Sequence, residues 1–250
     1  MSAYNAGRTL RALQREYADC TRCPHLCESR SQVVFGSGKV TGPIMVIGDK
    51  PGPEEDDAGG PFVGEAGRVL MDMLSCAWPK GDDAMRRIRK IGSDDEDSEF
   101  LYYQALREYL DQFVFWTNAR LCYGPRDVTT TEMRNCLSRL HNTIYAVDPL
   151  LIIAAGGDAA TALMGKKFSS THRFGQLRDI SIPSPVTGEP VRYTMLGLGS
   201  PIKLLERGDL QAARKGVQTP RLDAQDALRE ALSLLEILHH NYYDTSFPPE

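Results

Sequence analysis

The 250-residue sequence has no apolar run approaching the ~20 residues that a membrane-spanning helix requires. Its N-terminal stretch, MSAYNAGRTLRALQREYADC, lacks the apolar segment of a secretory signal. Those absences exclude a helical membrane protein and point to a cytoplasmic one. Cysteine is scarce: six thiols, unevenly spaced, are too few to staple a chain of this length. In a reducing compartment they read as free thiols or metal ligands. Positive charge is not in excess either, since 29 Lys and Arg face 33 Asp and Glu for a net charge of -4. Bulk charge therefore does not mark a nucleic-acid binder, although a local basic surface is compatible with it. With 42% hydrophobic and 25% charged residues, the composition excludes collagen-like, mucin-like and largely disordered chains.

The apolar pattern instead describes an α/β protein. Leu10, Leu13 and Tyr17 at helical spacing mark an amphipathic helix over 3–19. Pro43–Gly48, Phe113–Thr117 and Pro149–Ala155 are short runs apolar at nearly every position, as in strands buried on both faces of a parallel sheet. Thr194–Gly197 reads as a last strand, and the segment 168–194, with a turn at Val186–Glu189, as a hairpin or an edge strand pair. Gly36–Gly38 reads as a turn. Helices are expected at Glu65–Ala77, over Leu101, Leu106 and Leu110, at Thr131–Val147, Asp158–Met164 and Leu222–Leu238. Alternation of strands and helices predicts a three-layer α/β/α sandwich around a mostly parallel four-stranded sheet, with functional loops at the C-terminal strand ends. The chain reads as a single domain, 1–250, with a solvated insertion of little core at about 79–99.

Two groups of residues carry chemistry. Cys20-x-x-Cys23 brings two thiolates within reach of one metal centre, and of the distant pair Cys122 and Cys136 one stands at the end of a strand and the other inside the next helix. Together they make a four-thiolate set suited to zinc or to an iron–sulfur cluster. Cys27 competes as a ligand, and Cys76 reads as a buried apolar residue on a helix. The second group is the loop from Gly48 through Asp49, Lys50 and Gly52 to Pro61-Phe62-Val63-Gly64, between a buried strand and a helix. Glycines there let backbone approach a ligand, an aromatic such as Phe62 can stack on a base, and carboxylates can position water.

The blocks CTRCPHLCESRSQVVFGSG, GDKPGPEEDDAGGPFVGEAGRVL, TNARLCYGPRD and DPLLIIAAGGDAATALMG, in that order, resemble the family 4 uracil-DNA glycosylases. The resemblance runs from about Cys20 to Leu205, interrupted at 79–99. It implies a [4Fe-4S] cluster on Cys20, Cys23, Cys122 and Cys136, with zinc as the alternative metal, and leaves Cys27 and Cys76 as non-ligands. It also implies a pocket for a flipped pyrimidine. There Asn118 reads the O4 and N3–H edge, Phe62 stacks on the ring, and Gly48, Lys50 and Gly52 belong to the loop whose amides face O2.

Two departures qualify the resemblance. Asp49 stands where the family has Glu, one methylene shorter. Where the family has His-Pro-Ser, this chain has Leu198-Gly199-Ser200-Pro201, with no histidine. Asp49 and Ser200 are then the catalytic candidates, and Lys203 and Arg207 the contacts to DNA phosphates. With Lys166, Lys167, His172, Arg173 and Arg178 they make the later loops basic. The implied function is a uracil-DNA glycosylase-type enzyme, monomeric, acting on single- or double-stranded DNA. The missing histidine keeps two alternatives open. One is a phage-type hypermodification enzyme transferring an amino acid or amine to an activated 5-substituted pyrimidine. The other is a non-catalytic DNA-binding homologue.

Overall fold

The expected buried runs become strands at the centre of one sheet. In the computed structural model, which describes residues 3–91, 96–165, 175–201 and 220–242, β2 (Ile44–Gly48), β3 (Val114–Asn118) and β4 (Leu151–Ala155) are buried at all five positions. They run parallel to one another and to β6 (Pro190–Leu198) in the spatial order β3-β2-β4-β6. Their C-terminal ends lie in register: Gly48 is opposite both Asn118 and Ala155, and Ala155 is opposite Leu198. One edge of the sheet therefore gathers the residues that follow all four strands.

Among the described residues the sheet has six strands, not four, and its two outer pairs are antiparallel. On one side β5 (Leu177–Pro183) forms the expected hairpin with β6. On the other, β1 (Gly36–Gly38) pairs with β3, where a turn was expected. Three residues containing two glycines carry no strand signal. Glycine is nonetheless what this edge requires: Gly38 has φ +99°, and a Cβ there would collide with the carbonyl oxygen of Val114. Gly38→Ala should accordingly lower stability by about 1–3 kcal/mol, through backbone strain and loss of the edge pairing. Equilibrium denaturation checks this, and an unchanged midpoint would contradict it.

Side chains alternate across the pleat, so the sheet has two apolar faces. Val46, Trp116, Ile153 and Leu196 belong to a core shared with α4 (Glu65–Ala77), α5 (Asp83–Ile88), α6 (Glu96–Leu110) and α9 (Pro220–Tyr242). Met45, Ile47, Phe115 and Ile152 face α1 (Ala3–Tyr17), α7 (Thr130–Val147) and α8 (Gly157–Met164). The result is the expected α/β/α sandwich. Two short helices complete the described elements: α2 (Pro24–Ser29), and α3 (Pro53–Ala58) within the Gly-rich loop.

Three local readings are refined or corrected. The segment 79–99, expected to carry little core, does contribute to it. Met85 on α5 is fully buried, and Asp82 caps that helix while accepting hydrogen bonds from Trp78 Nε1 and the Tyr109 hydroxyl. Leu101 is 54% exposed while Leu106 and Leu110 face the core, because the five residues from Leu101 to Leu106 turn the helix by about 140° beyond a full turn. Cys76 is exposed rather than buried.

Candidate functional site

β2 and β3 end side by side on Gly48 and Asn118, and the loop after β2 folds back over them. Asn118 is 3% exposed and Phe62 6% exposed. A Cβ on Gly48 would clash with Asn118 Oδ1 and stand 2.8 Å from Phe62 Cζ. The three residues named from the sequence thus converge, and glycine at 48 is what permits the approach. Phe62 has φ +58°, a left-handed conformation that a bulky side chain adopts only when its surroundings hold it. Two contacts do so. Its ring packs on Trp116 with centroids 5.5 Å apart. Arg107, reaching across from α6, donates to the carbonyl oxygens of Pro61 (3.1 Å) and Phe62 (3.4 Å) and to Ser37 Oγ (2.8 Å). Asp111 accepts from the same guanidinium at 2.8 Å and offsets its burial.

The other loop residues take individual roles. Asp49 Oδ1 accepts from the backbone N–H of Ala159 (2.7 Å) in the first turn of α8, so this carboxylate is anchored at a helix N-terminus. The Gly52 N–H donates to Glu55 Oε2 (2.9 Å) as part of the start of α3 and is already engaged. Lys50 reaches the β3–α7 loop, where Nζ donates to the Gly124 carbonyl (2.8 Å) and lies 5.6 Å from the Tyr123 ring centre. Ser200, half-buried, follows β6 by two residues on the same sheet edge. Lys203, Arg207, Lys166, Lys167, His172 and Arg173 lie outside the described residues.

The cysteines form the second locus. Val33 bridges to Cys122, tying the N-terminal segment to the loop after β3. Cys23 feels the charge of Cys20 and Cys136, and Cys122 that of the same two, so the four expected ligands are neighbours. Burial raises the Cys23 thiol and pushes Cys122 up to about 11, despite the Arg30 guanidinium beside it. Arg30 Nη1 donates to Cys122 Sγ (2.8 Å), and Asn135 Nδ2 donates to Cys23 Sγ (3.3 Å). Arg139, fully buried, donates through Nη2 to the carbonyls of Asn118 and Ala119, both at 2.8 Å. Its Nε and Nη1 have no hydrogen-bond partner, and the group lies within electrostatic reach of Cys136 and Cys122. Cys27 Sγ instead turns to backbone carbonyls of Cys20 and Cys23. Among the described residues, no three His, Cys, Asp or Glu side chains converge tightly enough for a single metal ion.

Sequence reading missed Arg107, Arg30, Asn135 and Arg139. Asn135 and Arg139 had a local signal, standing directly before Cys136 and one helical turn after it on a helix already expected. Arg107 is 45 residues from the Phe62 carbonyl it holds, a separation with no local trace.

Comparison with known proteins adds an independent finding. The family model described as uracil DNA glycosylase superfamily matches residues 35–210. The chain is similar to the type-4 uracil-DNA glycosylase of Pyrobaculum aerophilum, 29% identical over 73% of this chain and 78% of that one. It is also similar to that of Thermotoga maritima, 30% identical over 67% of this chain and 73% of the relative. A third relative, the type-4 uracil-DNA glycosylase of Archaeoglobus fulgidus, is 30% identical over 58% of this chain and 59% of its own.

Proposed function

This chain belongs to the uracil-DNA glycosylase superfamily, and on that premise we propose that it hydrolyses the N-glycosidic bond of uracil, or of a closely related pyrimidine, in DNA. The observation that carries the reading is the convergence of Asn118, Phe62 and Gly48 at the C-terminal edge of the sheet. A base extruded from the stack presents one ring face and a donor–acceptor edge. Phe62 offers an aromatic face, and the Asn118 amide offers one acceptor and two donors for O4 and N3–H. The left-handed Phe62 backbone is strain held by Arg107 and Trp116, consistent with a ring that must stand where the base arrives.

Cleavage breaks the bond from C1′ to the ring nitrogen. The electron pair leaves with the base and spreads onto O2, while water adds to C1′ and gives up a proton. N–H donors in the loop after β2 would stabilise the departing anion. Gly52 is not among them, because Glu55 takes its N–H. Asp49, which accepts from the first turn of α8, would orient water and offset developing positive charge on the sugar. Ser200 stands where the resemblance puts the serine and histidine motif, and it supplies a neutral hydroxyl in place of an imidazole. Lys203 and Arg207 would contact DNA phosphates. The relatives give no support to amine transfer onto an activated pyrimidine or to a purely non-catalytic role.

Cys20, Cys23, Cys122 and Cys136 would hold a [4Fe-4S] cluster, whose contribution when bound is a covalent tie between the N-terminal segment and the β3–α7 unit. The donor set fits it. Four neighbouring thiols are the soft donor set that an iron–sulfur cluster takes. The unpartnered buried nitrogens of Arg139 and the Arg30 donor fit a group of net negative charge.

Incubating anaerobically purified protein with uracil-containing single- and double-stranded oligonucleotides tests the activity. Alkali-labile abasic sites are expected. Their absence at high enzyme excess would overturn the reading.

A further inference from the structure

Beside the base site lies a small cleft of about 40 Å³ lined by His25, Ser29, Arg120, Gly124, Arg126 and Glu132, to which neither the family resemblance nor the proposed mechanism gives a part. Its floor is Arg120, 1% exposed. Arg120 Nη1 pairs with Glu132 Oε2, but Nε and Nη2 have no hydrogen-bond partner. A guanidinium stays charged at all ordinary pH, and the buried N–H groups on these two unpaired nitrogens leave a desolvation penalty that an incoming acceptor would relieve. The Nη2 atom faces Gly124 on the cleft wall, 3.3 Å from where a Cβ on that residue would stand.

The surrounding charges favour an anion. Glu132, the one carboxylate on the wall, is spoken for three times. Its Oε1 accepts from His25 Nε2 (2.6 Å), and its Oε2 accepts from Arg120 and from the Thr129 N–H (3.1 Å) that opens α7. The cleft therefore sits at the N-terminus of an 18-residue helix, the positive end of its dipole. Arg126 stands exposed at the rim. Lys50 approaches from behind Gly124, and its ammonium is destabilised by burial and then by the charge of Arg120. Asp127, also close to Lys50, is the nearby exposed carboxylate that works against this balance.

We propose that this cleft is a phosphate-binding subsite, with Arg120 as its buried double donor and Arg126 at its mouth, and that it holds a backbone phosphodiester of the strand whose base enters the Asn118 pocket. Its place supports the assignment to the strand. Arg120 follows Asn118 by two residues, and its backbone N–H donates to the Asp49 carbonyl (3.1 Å), so cleft and base site share one edge of the sheet. The assignment of the phosphate to DNA rests on the glycosylase reading. A bidentate guanidinium would hold the backbone in one orientation, something the flexible surface lysines of the later loops do less well.

The test uses the full-length, cluster-loaded protein and the variants Arg120→Lys and Arg126→Ala. Lysine keeps the ion pair to Glu132 and removes the two free donors, and Arg126 is exposed, so both variants should fold; thermal melting and the visible spectrum check this. Binding is measured on a uracil-free single strand across a salt series, and on inorganic phosphate alone at constant ionic strength. Because neither probe contains uracil, the outcome does not depend on whether excision occurs. Each variant should bind the strand about tenfold more weakly, with the salt slope smaller by about 0.7, the loss of one single-strand phosphate contact. Inorganic phosphate should bind the native protein and compete with the strand. Unchanged strand affinity and slope in folded variants would overturn the proposal. Loss of phosphate binding alone, with strand binding intact, would overturn the assignment to the DNA backbone.

Discussion

Replacing Asn118 by alanine is expected to lower kcat/KM for uracil excision by roughly 10²–10³-fold, the usual effect of deleting one well-placed polar group from an active site. Asn118 is buried, at 3% exposure, against Gly48 and Phe62. Truncation therefore leaves the O4 and N3–H edge of a bound base facing no partner, and water cannot easily substitute. The backbone carbonyl of Asn118, which accepts from Arg139, is retained. Thermal stability should fall far less than activity. Single-turnover assays on an oligonucleotide with one uracil would measure this, alongside an Asn118→Asp variant that keeps the shape and loses the donor. Activity within a few-fold of the native level in the alanine variant would show that the pocket lies elsewhere.

The second large effect is expected at the thiols. Cys122→Ala should abolish visible absorbance and cost at least about 4 kcal/mol, the range reached when a metal centre is lost. At this chain length that corresponds to a fall in Tm on the order of 10 °C. Cys122 lies between Arg30 Nη1 and Cys136 and bridges to Val33, so its removal loosens the N-terminal segment from the loop after β3. Cys76→Ser, at an exposed thiol remote from the group, should change neither property. Cys27→Ser should keep the colour, because Cys27 Sγ turns to backbone carbonyls. A colourless native protein carrying stoichiometric zinc would defeat the cluster assignment. Loss of colour in Cys27→Ser with retention in Cys20→Ser would reassign the ligand set.

How far the sequence could be read depended on the range of the physics involved. Pro43–Gly48 and Pro149–Ala155 were legible as strands because burial on both faces leaves an unbroken apolar run. The helix Glu65–Ala77 was legible from its 3.6-residue stripe. Gly36–Gly38 was not, because its pairing with β3 is set by the partner's backbone and by the room that glycine leaves. The α3 helix escaped because four of its six residues are acidic; its start depends on Pro53 at its first position and on Glu55 folding back to the Gly52 N–H. Met85 escaped because a single buried residue among Arg, Lys and Asp has no periodicity to announce it.

The site divides in the same way. Residue type and order along the chain were enough to single out Asn118, Phe62, Gly48 and the four cysteines, since a base-reading amide, a stacking ring and a thiolate set are chemical statements that each residue makes alone. Which groups hold those residues in place came only from tertiary structure: Arg107 on the Phe62 carbonyl, Ala159 on Asp49, Arg30 on Cys122 and Arg139 behind Asn118. Those partners are separated by 21 to 110 residues and meet only because parallel strands end in register on one edge. The net charge of -4 was a property of the sequence, but it is an average. Folding decides where its components go, and burying Arg120 with two unpaired donors creates a local demand for an anion that no sum over the chain contains.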